Sequence, residues 1–277
     1  MAVIENIPFV KMQGTGNDFV VLNNLESRLT SEEIINLSPK LCHRKYGIGA
    51  DGVLALQKPV YENTDYEMLY RNADGSDAGM CGNGSRCLAL YASRLSMGKK
   101  LDFSVHDDTY SAQIHGENTV EINFPVSTRV KMIDINGDPL RQIFTGTEHV
   151  VKEVPKKELD KEKKLIREGS FLRYHHYFQP AGTNANFYCG IDDQQIKVQT
   201  YERGVEDLTL ACGTGAIASA IAWHHKQQLD TEENEFHVET KGGNIKVAFH
   251  FNADKDTYSD IKLTGPAHFV FEGTYYV

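Results

Sequence analysis

Two stretches of the sequence resemble each other, and each sets a cysteine directly before Gly-x-Gly. The first stretch runs from Tyr70 to Gly84 and the second from Tyr201 to Gly215, with the tyrosine eleven residues before the cysteine in both. An apolar run that contains alanines follows each pair of glycines. Such a run predicts a helix that is apolar nearly all round, and therefore one buried inside a sheet. The repeat predicts two similar halves, each wrapping strands around one helix.

Segments of alternating polar and apolar residues flank each predicted helix and indicate half-buried strands. A glycine-rich turn precedes Asn17 in the first half, and the turn at 182–184 precedes further apolar residues in the second. We interpret Asn17 and Asn184 as equivalent positions of the repeat. They lie 64 and 28 residues before Cys81 and Cys212. That difference predicts extra material in the first copy.

Pro125 ends the first series of strands, so a boundary between domains is expected there. We predict a mixed α/β protein whose first half is 1–125 with a C-terminal strand at 266–277. The second half is predicted to be 126–265, with the active site in the cleft between the halves.

The composition disfavours several classes of partner. The net charge of −9 comes without a basic cluster, so nucleic acid is not an expected partner. No apolar run approaches the roughly 20 residues that span a bilayer, and the first residues do not resemble a signal peptide. Five cysteines in 277 residues favour reduced thiols over a disulfide framework. We therefore expect a cytoplasmic protein that does not bind membranes.

The paired cysteines suggest a particular chemistry. A helix N-terminus favours a thiolate through its dipole and its outward N–H groups, and the same groups can bind a substrate carboxylate. Each half would then place a thiol beside a site for a carboxylate. Two acid/base groups on opposite faces of one carbon are what inversion at that carbon requires. We therefore interpret Cys81 and Cys212 as an acid/base pair.

Other sequence features have simpler interpretations. Cys42, Cys87 and Cys189 lack the glycine setting, and a cysteine of that kind usually packs in a core. The G-x-G-x-x-G spacing at 47–52 precedes a strand, not a helix, which predicts a tight loop and argues against a nucleotide site. No motif with metal-ligand spacing is present, so no metal is expected. A Cys–His hydrolase with His149 as its base would leave one cysteine stretch unexplained.

The sequence resembles the diaminopimelate epimerase family over essentially its whole length. Five blocks in the family's order carry the resemblance: 11–19, 71–76, 81–87, 201–204 and 211–215. One block alone would not separate the chain from the proline racemases, which are similar in using two cysteines. Order and number together make the resemblance specific.

The resemblance implies an epimerase that needs no cofactor and interconverts LL- and meso-2,6-diaminopimelate, in lysine and peptidoglycan precursor biosynthesis. It implies two halves, each a barrel-like and mostly antiparallel sheet around a central helix, and a homodimer. Cys81 and Cys212 would be the acid/base pair, and His149 and Glu202 would tune the thiols. Arg203 would bind the distal carboxylate through its planar fork. The residues implied in substrate binding are Asn17, Asn72, Gly82, Asn83, Asn184, Glu202, Arg203, Gly213 and Thr214.

Two positions depart from the family's pattern. Thr147 stands where many members have the asparagine of Asn-Pro-His, and Gly52 stands where some members have a glutamine that touches substrate. The resemblance therefore implies no substrate contact at Gly52 and leaves a contact at Thr147 open. The alternatives are racemisation of proline or hydroxyproline, an isomerase on this fold with other chemistry, and a binding protein for amino acids without catalysis. Arg203 and the asparagines argue against a ring substrate, which has no distal amino-acid centre to bind.

Overall fold

The computed structural model describes residues 6–277. It divides into two compact units, the first formed by the described residues up to Ile122 together with Gly265–Val277, and the second by Asn123–Thr264. The elements up to the end of the first run of strands are β1 (Asn6–Gly14), β2 (Asn17–Asn23), α1 (Asn24–Ser27), α2 (Ser31–Cys42), β3 (Gly52–Gln57), β4 (Tyr66–Asn72), α3 (Gly82–Arg94), β5 (Lys100–Val105), β6 (Asp108–His115) and β7 (Thr119–Phe124).

The remaining elements contain two crossover helices and the second apolar helix. They are β8 (Lys131–Ile135), β9 (Asp138–Phe144), β10 (Glu148–Glu153), α4 (Lys156–Leu159), α5 (Glu162–Tyr174), a 3-10 turn (His176–Phe178), β11 (Asn184–Gly190), β12 (Gln195–Glu202), β13 (Asp207–Thr209), α6 (Gly213–Gln227), β14 (Glu233–Thr240), β15 (Gly243–Asn252), β16 (Thr257–Pro266) and β17 (His268–Tyr276).

The first unit contains strands in the order β17-β1-β2-β3-β4-β5-β6. The successive pairings are antiparallel, antiparallel, parallel, antiparallel, parallel and antiparallel. Parallel neighbours need a crossover connection, and α2 supplies it between β2 and β3. Thr30 begins this helix with a capping box to Glu33.

The second unit repeats this pattern with strands β8-β9-β10-β11-β12-β14-β15. Its pairings follow the same series of parallel and antiparallel neighbours. The crossover between β10 and β11 is made by α4, α5 and the 3-10 turn. The charged run at 152–167 begins at the end of β10 and continues through α4 into α5.

One apolar helix contacts several strands of its own sheet in each unit. Helix α3 packs against β1, β2, β3, β4 and β6, and α6 packs against β9, β10, β11, β12, β14 and β15. Nearly every residue of both helices is buried. Because strands surround each helix, neither α3 nor α6 has a face of polar residues directed to solvent over its buried part. The predicted fold class, two similar halves of mixed α/β structure, is confirmed.

The predicted alignment of the two halves is wrong in one respect. Parallel pairing sets Phe19 beside Gly52 in the first unit and His149 beside Asn184 in the second. Asn184 is therefore equivalent to Gly52, and not to Asn17. Counted from Phe19 and His149, the cysteines follow after 62 and 63 residues. The first copy carries no extra material, and the glycine-rich turns misled the comparison because turns recur before unrelated strands.

Candidate functional site

Cys81 is the N-cap residue of α3, in extended conformation at the point where the chain enters the helix. The N–H of Gly84 donates to Cys81 Sγ over 3.3 Å. The first-turn N–H groups of Gly82 and Asn83 point out of this helix end. The sequence prediction of a cysteine at a helix start is therefore confirmed for the first unit.

A buried arginine organises this helix start. The Arg86 side chain is 0% exposed and donates to Gly82 O (3.1 Å), Asn83 Oδ1 (2.9 Å), Thr15 Oγ1 (3.2 Å) and Pro266 O (3.2 Å). Burial lowers the pKa of Arg86 from its usual value. Because a buried charge without hydrogen bonds is costly, these four acceptors hold the helix start, the turn before β2 and the strand before β17 in one arrangement.

Two asparagines of the first unit lie at strand ends. Asn17 begins β2, and its side-chain oxygen is buried without a hydrogen-bond partner among the described residues. Asn72 ends β4, and its amide donates to Ser76 Oγ over 3.1 Å. Beside Asn72 in the ladder lies Gly52, where a Cβ would come within 2.5 Å of Arg71 O. A residue with a side chain could not occupy this position unless the backbone of Arg71 moved.

Cys212 is the N-cap residue of α6 and is 9% exposed. Its Sγ lies 3.5 Å from Thr214 Oγ1. The carbonyl of Thr214 accepts from Thr145 Oγ1 over 3.1 Å, which fixes the first turn of α6. The two cysteines thus occupy equivalent places in the two units, each followed by glycine at the first and third helical positions.

A chain of buried polar side chains passes under the Cys212 helix. Thr200 Oγ1 donates to Asn186 Oδ1 (2.9 Å), and the Asn186 amide nitrogen lies 3.0 Å from His149 Nδ1 and 3.1 Å from Val150 O. His149 is 0% exposed. Burial lowers the pKa of His149 to about 3, and the positive charge of Arg203 acts in the same direction. The imidazole is therefore neutral at physiological pH.

Arg203, Asn184 and Thr147 meet at the ends of β12, β11 and the turn before β10. The guanidinium of Arg203 donates to Ala181 O (2.8 Å) and Thr147 Oγ1 (3.1 Å). Asn184 accepts from the Arg203 N–H (2.9 Å) and donates to Glu148 O (3.0 Å). Asn184 therefore ties three strands together, and Thr147 takes part in the site by holding the arginine.

The sequence missed three residues of these arrangements. Asn186 and Thr200 lie inside strands β11 and β12, and Arg86 lies in α3. In each case the signal was a polar residue at a position that the pattern assigns to the core, where a polar group must find hydrogen bonds. Glu202, which the sequence did predict as a site residue, ends β12 as Asn72 ends β4, and it pairs in the ladder with Asp207 of β13.

The remaining cysteines lie in the core, as the sequence predicts. Cys42, Cys87 and Cys189 are at most 4% exposed. Burial raises the pKa of Cys42 and of Cys87 to about 12 and also raises the pKa of Cys189. Because the thiolate is the reactive form, burial disfavours the reactive state of all three groups. Of the helices within residues 6–277, none has the length and apolar character needed to cross a membrane.

Solved structures with this fold include an epimerase and a phenazine biosynthesis protein. The chain superimposes on a hydroxyproline epimerase from Agrobacterium vitis with a TM-score of 0.74 at 13% identity, covering 100% of this chain and 94% of that one. It superimposes on a phenazine biosynthesis protein of the PhzF family from Bacillus anthracis with a TM-score of 0.77 at 14% identity, covering 99% and 100%. The fold class is thus the one shared by these epimerase and PhzF structures.

Within this class the chain belongs to the diaminopimelate epimerase family. The family model, described as diaminopimelate epimerase, matches residues 9–126 and 142–270. A diaminopimelate epimerase from Flavobacterium psychrophilum is 37% identical over 95% of this chain and 98% of its own length. One from Aquifex aeolicus is 35% identical over 96% of both. The resemblance found in the sequence is confirmed.

Proposed function

We propose that the protein is an amino-acid epimerase that interconverts LL- and meso-2,6-diaminopimelate without a cofactor. Membership of the family supports this substrate and a place in lysine biosynthesis. The observation that carries the proposal is the pair of cysteines at equivalent helix starts, Cys81 on α3 and Cys212 on α6. One acid/base group for each face of the α-carbon is what inversion needs.

The reaction is a two-base proton transfer. One cysteine, as thiolate, removes the α-proton, and the electron pair of the C–H bond moves into the carboxylate to give an enolate. The other cysteine, as thiol, donates its proton to the opposite face. The first residue ends as thiol and the second as thiolate, so the next turnover runs in the opposite direction or follows proton exchange with water.

The two helix starts would stabilise the negative charge of the reacting carboxylate. We propose that backbone N–H groups of Gly82, Asn83, Gly213 and Thr214 bind the reacting carboxylate, because first-turn N–H groups bind anions and stabilise developing negative charge. Asn17 would accept a hydrogen bond from the substrate through its buried side-chain oxygen. Asn72 would contribute its amide.

The distal end of the substrate would bind the second unit. A guanidinium held at two points, as in Arg203, presents its remaining N–H groups in a fixed direction, which suits a bidentate carboxylate. Asn184 would keep this arginine and β10 in register. His149 and Glu202 would tune the thiols.

Removal of either cysteine tests the mechanism. Cys81→Ala and Cys212→Ala should each abolish stereoinversion while the far-ultraviolet spectrum stays that of the wild type. The assays are conversion of one diaminopimelate isomer into the other and exchange of the substrate α-proton in deuterated water, both under reducing conditions without added pyridoxal phosphate. Near-wild-type inversion by either variant would refute the two-base scheme. Tight binding without exchange by the wild type would instead establish a binding protein.

We also propose a cytoplasmic homodimer. Strand β17 pairs with β1 and exposes Val270, Phe271 and Tyr276 by 55%, 49% and 77%. Exposed apolar side chains on one strand favour a protein partner, and a second copy of this chain is the occupant that the family relationship suggests. Sedimentation velocity of the wild type and of Val270→Glu tests this assignment, with a monomeric wild type as the outcome against it.

A further inference from the structure

The side chain of Asn186 can adopt only one orientation in this core. Its amide group lies between Val150 O, which can only accept a hydrogen bond, and the Thr200 hydroxyl, which can donate or accept one. An amide oxygen facing Val150 O would set two acceptors against each other. The nitrogen therefore faces Val150, and the oxygen accepts from Thr200.

That orientation decides which nitrogen of His149 carries the hydrogen. The Asn186 nitrogen has two hydrogens, one for Val150 O and one for His149 Nδ1 at 3.0 Å. Nδ1 must then be the acceptor, so the hydrogen of the neutral ring is on Nε2. His149 Nε2 is buried and has no hydrogen-bond partner among the described residues. The ring thus offers one donor that the protein around it does not use.

We propose that Asn186 is a positioning residue that locks His149 in the neutral Nε2–H tautomer, so that His149 acts as a hydrogen-bond donor to an anion in the site and not as a general base. The proposal rests on the proposed function for the identity of that anion, a thiolate or a substrate carboxylate. Arg203 is the charged group that acts on the ring, and its positive charge opposes a second proton. A neutral donor can stabilise an anion without exchanging protons with it.

The first unit provides a natural comparison because it lacks the hydrogen-bonded series Thr200–Asn186–His149. The residues equivalent to His149, Asn186 and Thr200 are Phe19, Leu54 and Tyr70, as the registers of the two sheets show. Phe19 and Tyr70 pack edge to face there, with ring centroids 5.7 Å apart. The fold therefore does not require polar residues at these positions, which supports a role for them in the site.

Nitrogen NMR of the histidine rings tests the proposal directly. Long-range proton–nitrogen spectra distinguish the two neutral tautomers from the imidazolium, and His149→Gln identifies the His149 signals among the eleven histidines. In the wild type without substrate at pH 7, we expect the Nε2–H pattern. An Nδ1–H pattern or an imidazolium would overturn the proposal; the pattern is read in the wild type, and His149→Gln serves only to assign the signals.

Two variants extend the test. Asn186→Leu, which installs the residue of the first unit, should give a mixture of tautomers and lower kcat/KM about tenfold. Thr200→Val is the matched control, because Asn186 keeps its bond to Val150 O and the wild-type tautomer should persist. An unchanged His149 spectrum in Asn186→Leu would refute the lock. Failure of the wild type to turn over diaminopimelate would refute the proposed function while leaving the tautomer measurement valid.

Discussion

At the scale of single residues, Thr147 owes its place in the site to its contact with Arg203. The threonine hydroxyl accepts from the guanidinium over 3.1 Å, so this chain uses the position to orient a cation. A sequence comparison can report that an asparagine is missing, but it cannot report what the replacement touches.

Thr147→Val keeps the shape of the side chain and removes the acceptor. We expect KM for diaminopimelate to rise about tenfold with little change in kcat, because a hydrogen bond to a charged group contributes roughly 1.5–3 kcal/mol and Ala181 O still holds the other side of the fork. Thr147→Ser retains the hydroxyl and should behave like the wild type. Steady-state kinetics of both variants make the comparison, and an unchanged KM in Thr147→Val would argue against the role.

The two helix starts that the sequence predicted correctly share one property. Cys81 and Cys212 could be found because helix starts, glycines and cysteines form a local pattern. Asn186 could not, because its role depends on His149 and Thr200, which are brought to it by the pairing of three strands. A local pattern can be recognised from neighbouring residues, whereas a hydrogen-bonded series of buried side chains from three strands depends on the register of the sheet.

At the scale of elements, the two cysteine helices differ in what lies beneath their second glycine. Gly84 faces Leu54, whereas Gly215 faces Asn186 and Thr200. The equivalent helix start therefore packs on an apolar side chain in one unit, and in the other on the polar side chains of Asn186 and Thr200, which connect to His149. The sequence predicted both helices and both starts, but it could not predict this difference because the strands below them come from distant parts of the chain.

Alanine at each glycine should have unequal effects. In Gly215→Ala the new Cβ would overlap Asn186 Oδ1 and lie 3.0 Å from Thr200 Oγ1, and we expect a loss of about 1–3 kcal/mol in the free energy of unfolding. In Gly84→Ala the Cβ would lie 3.1 Å from the movable end of Leu54. The helix propensity gained there, about 1 kcal/mol, offsets this contact.

Urea unfolding of the two alanine variants measures the difference. The position relative to the cysteine is the same in both, so Gly84→Ala is the control for any general effect of alanine at a helix start. Equal losses of stability would contradict the account given for Gly215.

At the scale of the whole molecule, the two units carry different ionisable groups in their interiors. In the second unit His224 is 1% exposed, bonds Tyr258 OH over 3.1 Å and is surrounded by phenylalanine rings. Burial lowers the pKa of His224 to about 4. In the first unit, burial of Asp18 is outweighed by hydrogen bonds from Arg44 and Lys11, which lower its pKa to about 2.

These pKa values predict that acid destabilises the second unit first. Both buried histidines have folded pKa values below the unfolded value of 6.5, so the unfolded chain binds more protons and stability falls as the pH drops below about 6.5. Between pH 7 and 5 we expect a loss of about 2 kcal/mol for each histidine. The contribution of Asp18 is present above its unfolded pKa of 3.8 and is lost only as the pH falls from there towards 2.

Fluorescence can follow this loss in the second unit. Trp223 is the single tryptophan of the chain and precedes His224 in α6. Urea unfolding monitored at this residue should show the free energy of unfolding decline between pH 7 and 5. In His224→Gln the slope of this free energy against pH should be smaller by the contribution of one bound proton. A wild-type stability that does not change over this range would contradict the predicted coupling.

The strand order of the first unit has a consequence for the order in which the two units fold during synthesis. Strand β1 is near the start of the chain and pairs with β17 near its end, and the carbonyl of Pro266 is one of the acceptors of Arg86. The second unit is continuous in sequence and can close as soon as it leaves the ribosome. The first unit must wait for the last strand, so the helix start of Cys81, although translated first, is the later of the two to reach its final form.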